Sequence, residues 1–435
     1  MGRRSPRSIC TPSRRAGVAI DTEVPAWGAR KRLLDFPIAH HYVLSLTAAT
    51  ERQHAEETQR MKCYRPREGL SIPVLTVLDE EGRLLESEQR RLLRYLVQSG
   101  FGADILFSPG TTGEWPRLVH AHRQQLMAIV LDERRAITER LRRLGRPPVE
   151  VWVGVTGQTR AQTLANMELA LELGADAGVI APLSIEDIGD VVTFFHREVT
   201  PLFERKGREL PLLLYDNAEI ALHPKIPHIR TRDVKRLSRL PYVCGIKVTA
   251  PRSVLGHYTK AALHFNERGE FGIYVGEAML IFDLFRPTRG LFGKIREVWN
   301  LYLLHHALPI GVVAGPANVF PREWQKAWRA CAAGDEELMS QYRRLLGEME
   351  RLCTFSENGR PVLKLIAGMK HMLFREGIIA SDHVAPGTPA LTPEQKTLIA
   401  ERYVRLKEQI RAHTDPLWHS RTEEDETPHG IPTRS

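Results

Sequence analysis

Cysteine is scarce in this chain: five in 435 residues, at Cys10, Cys63, Cys244, Cys331 and Cys353. They form no Cys-x-x-Cys pair and no His/Cys ligand spacing, which excludes a thioredoxin-like redox centre and the common zinc modules. An odd, dispersed set also excludes a disulfide framework and suits buried free thiols in a reducing compartment, which points to the cytoplasm. No apolar run approaches the roughly 18 residues that span a membrane as a helix. Glycine-rich phosphate loops are missing too. No Gly-x-Gly-x-x-Gly follows the first predicted strand and there is no Walker A pattern, so nothing supports a nucleotide site. An even basic surface is likewise absent. The formal charge is +9, from 61 Lys+Arg against 52 Asp+Glu, but residues 1–70 alone hold 13 against 7. The rest of the chain is near balance, which argues against a nucleic-acid-binding core.

What is present is ordinary globular material, 43% hydrophobic and 26% charged. Residues 1–68 are basic, rich in Arg, Ser, Pro and Ala, and without periodicity, which predicts a disordered extension rather than a targeting segment. Met61, just before the ordered text, offers an alternative start. From Gly69 the pattern changes. Short apolar, β-prone runs alternate with amphipathic helical text. The runs are 72–77, 103–107, 149–155, 177–181, 210–215, 242–249, 272–276 and 309–315. Helices are expected between them, for example Ser87–Val97 ended at Ser99-Gly100, and one capped by Thr159 that stops at Leu173-Gly174. Eight strand–helix units over about 250 residues predict an α/β fold, a (β/α)8 TIM barrel spanning 69–320, rather than an open doubly wound sheet. Helical text at 321–351, 361–377 and 392–412 predicts a C-terminal helical appendage, followed by a polar tail at 413–435.

In such a barrel chemistry gathers at the C-terminal ends of the strands. Three features fall there. Gly110-Thr111-Thr112-Gly113-Glu114 follows the second strand; its glycines permit a tight turn whose N–H groups and two hydroxyls can hold a carboxylate. Tyr215 ends the fifth strand and Lys247 lies near the end of the sixth. Neighbouring strands allow the two to face one another, and a phenol beside an amine can relay protons while the amine attacks a carbonyl. Taken singly, each has a plainer reading: a Gly/Thr turn, a packing tyrosine, a solvated lysine. Two further features weigh less. Arg286, Arg289, Lys294 and Arg296 in the long 285–306 segment match a solvated helix face, and His305-His306, adjacent on a helix, point apart and make a poor metal pair.

Together the turn 110–114, the segment Leu213-Leu214-Tyr215-Asp216-Asn217 and Gly245-Ile246-Lys247 resemble the dihydrodipicolinate synthase / N-acetylneuraminate lyase family of pyruvate-dependent class I aldolases, over about residues 69–412. The resemblance implies that Lys247 forms a Schiff base with a 2-oxo acid and that Tyr215 shuttles protons. It implies that Thr112 hydrogen-bonds into that relay, and that Thr111 and Thr112, set between Gly110 and Gly113, bind the 2-oxo carboxylate. It implies that Gly276 lines the pocket, that neither metal nor other cofactor is needed, and that the protein is a homo-oligomer, a tetramer or dimer. Its partners would be a small 2-oxo acid and an aldehyde, with no nucleic acid and no membrane. The sequence departs from the lysine-biosynthesis branch. That branch has an arginine after the tyrosine, where Asn217-Ala218-Glu219-Ile220-Ala221-Leu222-His223 has none. Its aromatic pair after the fourth strand is replaced by Ala181-Pro182-Leu183-Ser184. These departures point away from 4-hydroxy-tetrahydrodipicolinate synthase activity. They favour another Schiff-base lyase, such as a 2-keto-3-deoxy sugar acid aldolase, with a dehydratase or hydratase-aldolase, or a non-catalytic 2-oxo-acid binder, as alternatives.

Overall fold

The alternation of strand and helix closes on itself. In the computed structural model, which describes residues 64–265, 271–286, 295 and 308–413, eight parallel strands form one closed barrel in sequence order. They are β1 (Gly69–Pro73), β2 (Ile105–Phe107), β3 (Glu150–Gly154), β4 (Ala177–Ile180), β5 (Leu212–Asn217), β6 (Val243–Thr249), β7 (Gly272–Val275) and β8 (Gly311–Val313). Closure is the pairing of β1 with β8, Gly69 opposite Gly311. The helices between them include α1 (Glu86–Val97), α2 (His120–Arg143) and α3 (Arg160–Leu173).

Each strand buries both faces, which is why it reads as a nearly continuous apolar run rather than an alternating one. Ile105, Phe107, Trp152, Val179, Leu213, Tyr215, Tyr274 and Val313 fill the interior. The alternate residues, such as Leu70, Ile72, Leu212, Leu214, Ile246 and Val248, join the larger core under the helices. Amphipathic helices cover that outer layer: Leu92, Leu93 and Leu96 of α1 are fully buried, each contributing roughly 1.5–3 kcal/mol. α3 begins and ends where expected, with Thr159 Oγ1 accepting from Gln162 N and Gly174 in the left-handed region at φ 73°. α1 ends differently. Gln98 and Ser99, both at φ 51°, turn the chain before the predicted glycine is reached.

Beyond β8 the chain continues mainly in helices. The helix Pro321–Ala333 packs on β1 and so covers the barrel. Glu336–Leu352, Leu365–Arg375 and Pro393–His413 follow it. Between the first two lies a β-hairpin, Thr354–Glu357 with Arg360–Leu363, in place of the expected start of a helix at 361. Its cause is local. Asn358 and Gly359 both take positive φ (52° and 75°), the geometry of a two-residue hairpin turn.

The readings for the basic extension up to residue 63, for Arg289, Lys294, Arg296 and His305-His306, and for the tail after 413 lie outside the described residues. Among those described, no helix is long and apolar enough to cross a membrane, and Cys244, Cys331 and Cys353 are buried free thiols.

Candidate active site

β5 and β6 run side by side with Tyr215 opposite Lys247 and, two residues on, Asn217 opposite Thr249. Side chains two apart on a strand share a face, so these four stand in two successive layers inside the barrel mouth. For Lys247 to point inward, β6 has to break its own alternation. The register slips between Leu212 and Leu213, leaving Cys244 as an extra residue in β6. Cys244 therefore faces the interior and so, three residues later, does Lys247, while Ile246 and Val248 pack outward. The thiol donates to Leu212 O at 3.3 Å.

Lys247 is 5% exposed. Its Nζ lies 3.6 Å from the centre of the Tyr215 ring and 5.3 Å from that of Phe107. Among the described residues no carboxylate lies within ion-pair distance of it. The Tyr215 hydroxyl is a junction. It is 3.1 Å from Thr111 Oγ1, accepts from Asn217 Nδ2 at 3.0 Å and receives a longer contact from Thr249 Oγ1 at 3.5 Å. Burial pushes the phenol's pKa up. The Lys247 charge and the hydrogen bonds from Thr111, Thr249 and Lys247 outweigh it, and the net direction is down. A phenol lowered in this way is ionised in a larger fraction of molecules at a given pH, and only that form can accept a proton.

The turn 110–114 arches over this pair. Glu114 N donates to Thr111 O at 2.9 Å and Thr76 Oγ1 donates to Gly113 O at 2.6 Å. Gly113 is required by proximity, since a Cβ there would stand 2.5 Å from Val74 O. Gly110 sits against the Phe107 ring. The two threonines part company: Thr111 reaches Tyr215, whereas Thr112 lies against Gly315 of the loop after β8. The hydroxyl beside the phenol is thus that of Thr111, where the resemblance pointed to Thr112. Gly276 has its bare Cα against Thr249 Oγ1, and any Cβ there would collide with it.

Several residues of the site were not singled out from sequence. Asn217 and Thr249 could have been found from the two-residue spacing behind Tyr215 and Lys247. Asp216, fully buried and facing outward, accepts from Ile229 N at 2.8 Å and lies 2.9 Å from His228 Nδ1, which anchors the loop after β5. That loop brings Ile220 to the wall and Glu219 to the rim. Burial raises the carboxyl pKa of Glu277, and the charges of Glu350 and Glu219 add to that rise. Among the described residues no group of three or more His, Cys, Asp or Glu is placed to hold a metal ion.

Residues 66–182 match the Dihydrodipicolinate synthetase family. This stretch runs from before β1 to just past β4, so it includes the threonine turn and stops short of Tyr215 and Lys247. No curated protein matches the chain in sequence. Solved structures share the fold at low identity. Dihydrodipicolinate synthase from Bacteroides thetaiotaomicron superposes with a TM-score of 0.61 at 20% identity, covering 78% of this chain and 99% of that one. The 4-hydroxy-tetrahydrodipicolinate synthase of Methylacidiphilum fumariolicum gives 0.59 at 19%, covering 80% and 98%. YagE, an E. coli K12 prophage protein of the dihydrodipicolinic acid synthase family in complex with pyruvate, gives 0.57 at 19%, covering 78% and 98%. The family that the three motifs resemble is the one whose model matches residues 66–182.

Proposed function

We propose that this protein is a Schiff-base-forming lyase that takes pyruvate or another 2-oxo acid at Lys247. The observation that carries the reading is the buried amine set 3.6 Å from the ring of a phenol that is itself bonded to the threonine turn. The turn's hydroxyls and free N–H groups suit a carboxylate, and that clamp brings the ketone carbon to Nζ. The amine adds to the carbon, and loss of water, with Tyr215 carrying the proton, leaves a protonated imine. The imine is the electron sink. When the bond between C3 and C4 breaks, its electron pair flows into the imine to give an enamine, and Tyr215 takes the proton of the C4 hydroxyl as the aldehyde leaves. Protonation of the enamine and addition of water then release the 2-oxo acid and free the lysine.

The second half of the substrate is suggested by what lines the mouth. Asn217 and Thr249 are neutral hydrogen-bonding groups, Ile220 is apolar, and Glu219 and Glu277 stand at the rim. A hydroxylated chain, as in a 2-keto-3-deoxy sugar acid, suits these walls better than an aldehyde carrying its own carboxylate, which would meet like charge. YagE's complex with pyruvate, on the same fold, is in keeping with the first half.

Incubation with pyruvate and borohydride is expected to add the reduced pyruvyl mass at Lys247. An unmodified lysine under conditions that label a control aldolase would overturn the reading. A screen of 2-oxo acids with aldehydes is expected to show carbon–carbon cleavage or condensation. A product retaining every carbon would instead identify a dehydratase, and pyruvate binding without turnover a sensor.

A further inference from the structure

Two fully buried charges of the described structure lie outside the chemistry just proposed. Glu114, the last residue of the threonine turn, and Lys370, on the helix Leu365–Arg375 of the appendage, are both fully buried. They lie 256 positions apart, with Nζ 2.5 Å from Oε2. Each is also tied elsewhere. Glu114 Oε1 accepts from Ala385 N at 2.8 Å, and Lys370 Nζ donates to His383 O at 2.7 Å. The 381–385 segment is in turn fastened to the loop between β1 and α1, Ser381 Oγ donating to Leu78 O.

Stability alone does not call for such a pair. A buried ion pair replaced by apolar groups of the same volume is often neutral or better. What the pair supplies is geometry. With both carboxylate oxygens engaged, Glu114 can neither rotate nor withdraw. It holds an unfavourable left-handed backbone, φ 63°, and its N–H closes the turn on Thr111 O. Thr111 is the residue whose hydroxyl meets Tyr215. The chain of contacts thus runs from the appendage through Lys370 and Glu114 to Thr111 and the phenol.

We infer that Glu114 and Lys370 are positioning residues, through which the C-terminal helices hold the turn in the shape that receives the substrate carboxylate. This rests on the reading of Lys247 as the imine-forming lysine. It makes the appendage a working part of the site, and it predicts a defect in 2-oxo acid affinity rather than in the amine's ability to react.

The experiment is borohydride trapping as a function of pyruvate concentration, on the full chain. Glu114→Gln keeps the size of the side chain but sets an amide donor against either Lys370 or the Ala385 N–H. The half-saturating pyruvate concentration is expected to rise about tenfold or more, with trapping at saturation close to wild type and an unchanged circular dichroism spectrum. Lys370→Met should shift the same parameter. Lys364→Met serves as the control. That lysine is also buried, bonded to Ala390 O and Gln395 within the appendage, and its loss should leave half-saturation unmoved. Folded Glu114→Gln and Lys370→Met proteins with wild-type half-saturation would overturn the inference. So would an equal shift in the control, or loss of folding in both variants, since each would make the pair merely structural. A wild-type protein that gains no mass overturns the reading of Lys247, and this inference with it.

Discussion

Two buried lysines sit in opposite circumstances. Lys370, at the seam between barrel and appendage, is locked on a carboxylate and a carbonyl. Lys247, in the barrel mouth, has two aromatic rings around it, one of them the Tyr215 phenol. Burial is common to both, so burial alone does not make a nucleophile. Burial pulls the pKa of Lys370 down while Glu114 pulls it back up, and the carboxylate also occupies the protons that would have to leave. Around Lys247 the favourable partner is a π face and a titratable hydroxyl. These stabilise a cation without holding its geometry, and they leave a proton acceptor within reach.

The comparison can be broken at either lysine. The largest effect is expected from Lys247→Ala, which should abolish imine trapping while leaving the far-ultraviolet circular dichroism spectrum in place. Loss of folding would make this lysine structural like the other. Tyr215→Phe removes the junction hydroxyl and should slow turnover by roughly 10²–10⁴, as read from steady-state rates; a rate near wild type would remove the phenol from the proton path. Lys370→Met leaves Glu114 buried without its cation. It should cost about 3–5 kcal/mol in a urea melt, and a loss under about 1 kcal/mol would mean that the pair is not the anchor described here.

The smallest effect sharpens the contrast by acid titration. Asp382, beside the seam, accepts from His371 and Lys396, and these contacts hold its carboxyl well below the usual carboxylate range. A depressed folded pKa means that its contribution is fully present above the unfolded value near 4 and is lost as pH falls through the folded one. Stability should therefore decline below about pH 4, and Asp382→Asn should flatten part of that decline at a cost of about 1–3 kcal/mol at neutral pH. A variant with the wild-type acid profile would exclude this residue as its source.

Much of the barrel was legible because its causes are local. Eight apolar runs, each a strand's length, and caps such as Thr159 and Gly174 are written in consecutive residues. The hairpin at 354–363 was equally local, its Asn358-Gly359 step being a hairpin signal that went unread against the surrounding helical text. The site was legible as three motifs, and Tyr215 and Lys247 do meet. Asn217 and Thr249 needed only the strand period once those two were placed. Which threonine reaches the phenol could not be read, since that depends on how the turn folds over Phe107 and Val74.

By itself, then, the sequence determined a barrel with an amine, a phenol and a threonine turn at one end, because periodicity and turn chemistry act over a few residues at a time. Two things were decided only by tertiary structure. One is the inward aim of Lys247. Uninterrupted alternation from Val243 would have sent it outward, and the extra residue at Cys244, visible only against the register of β5, turns it in. The other is the Glu114–Lys370 pair, whose members have no local reason to meet. Burial forces an isolated carboxylate and an isolated ammonium to find partners, and only the packing of the appendage against the barrel supplies each with the other.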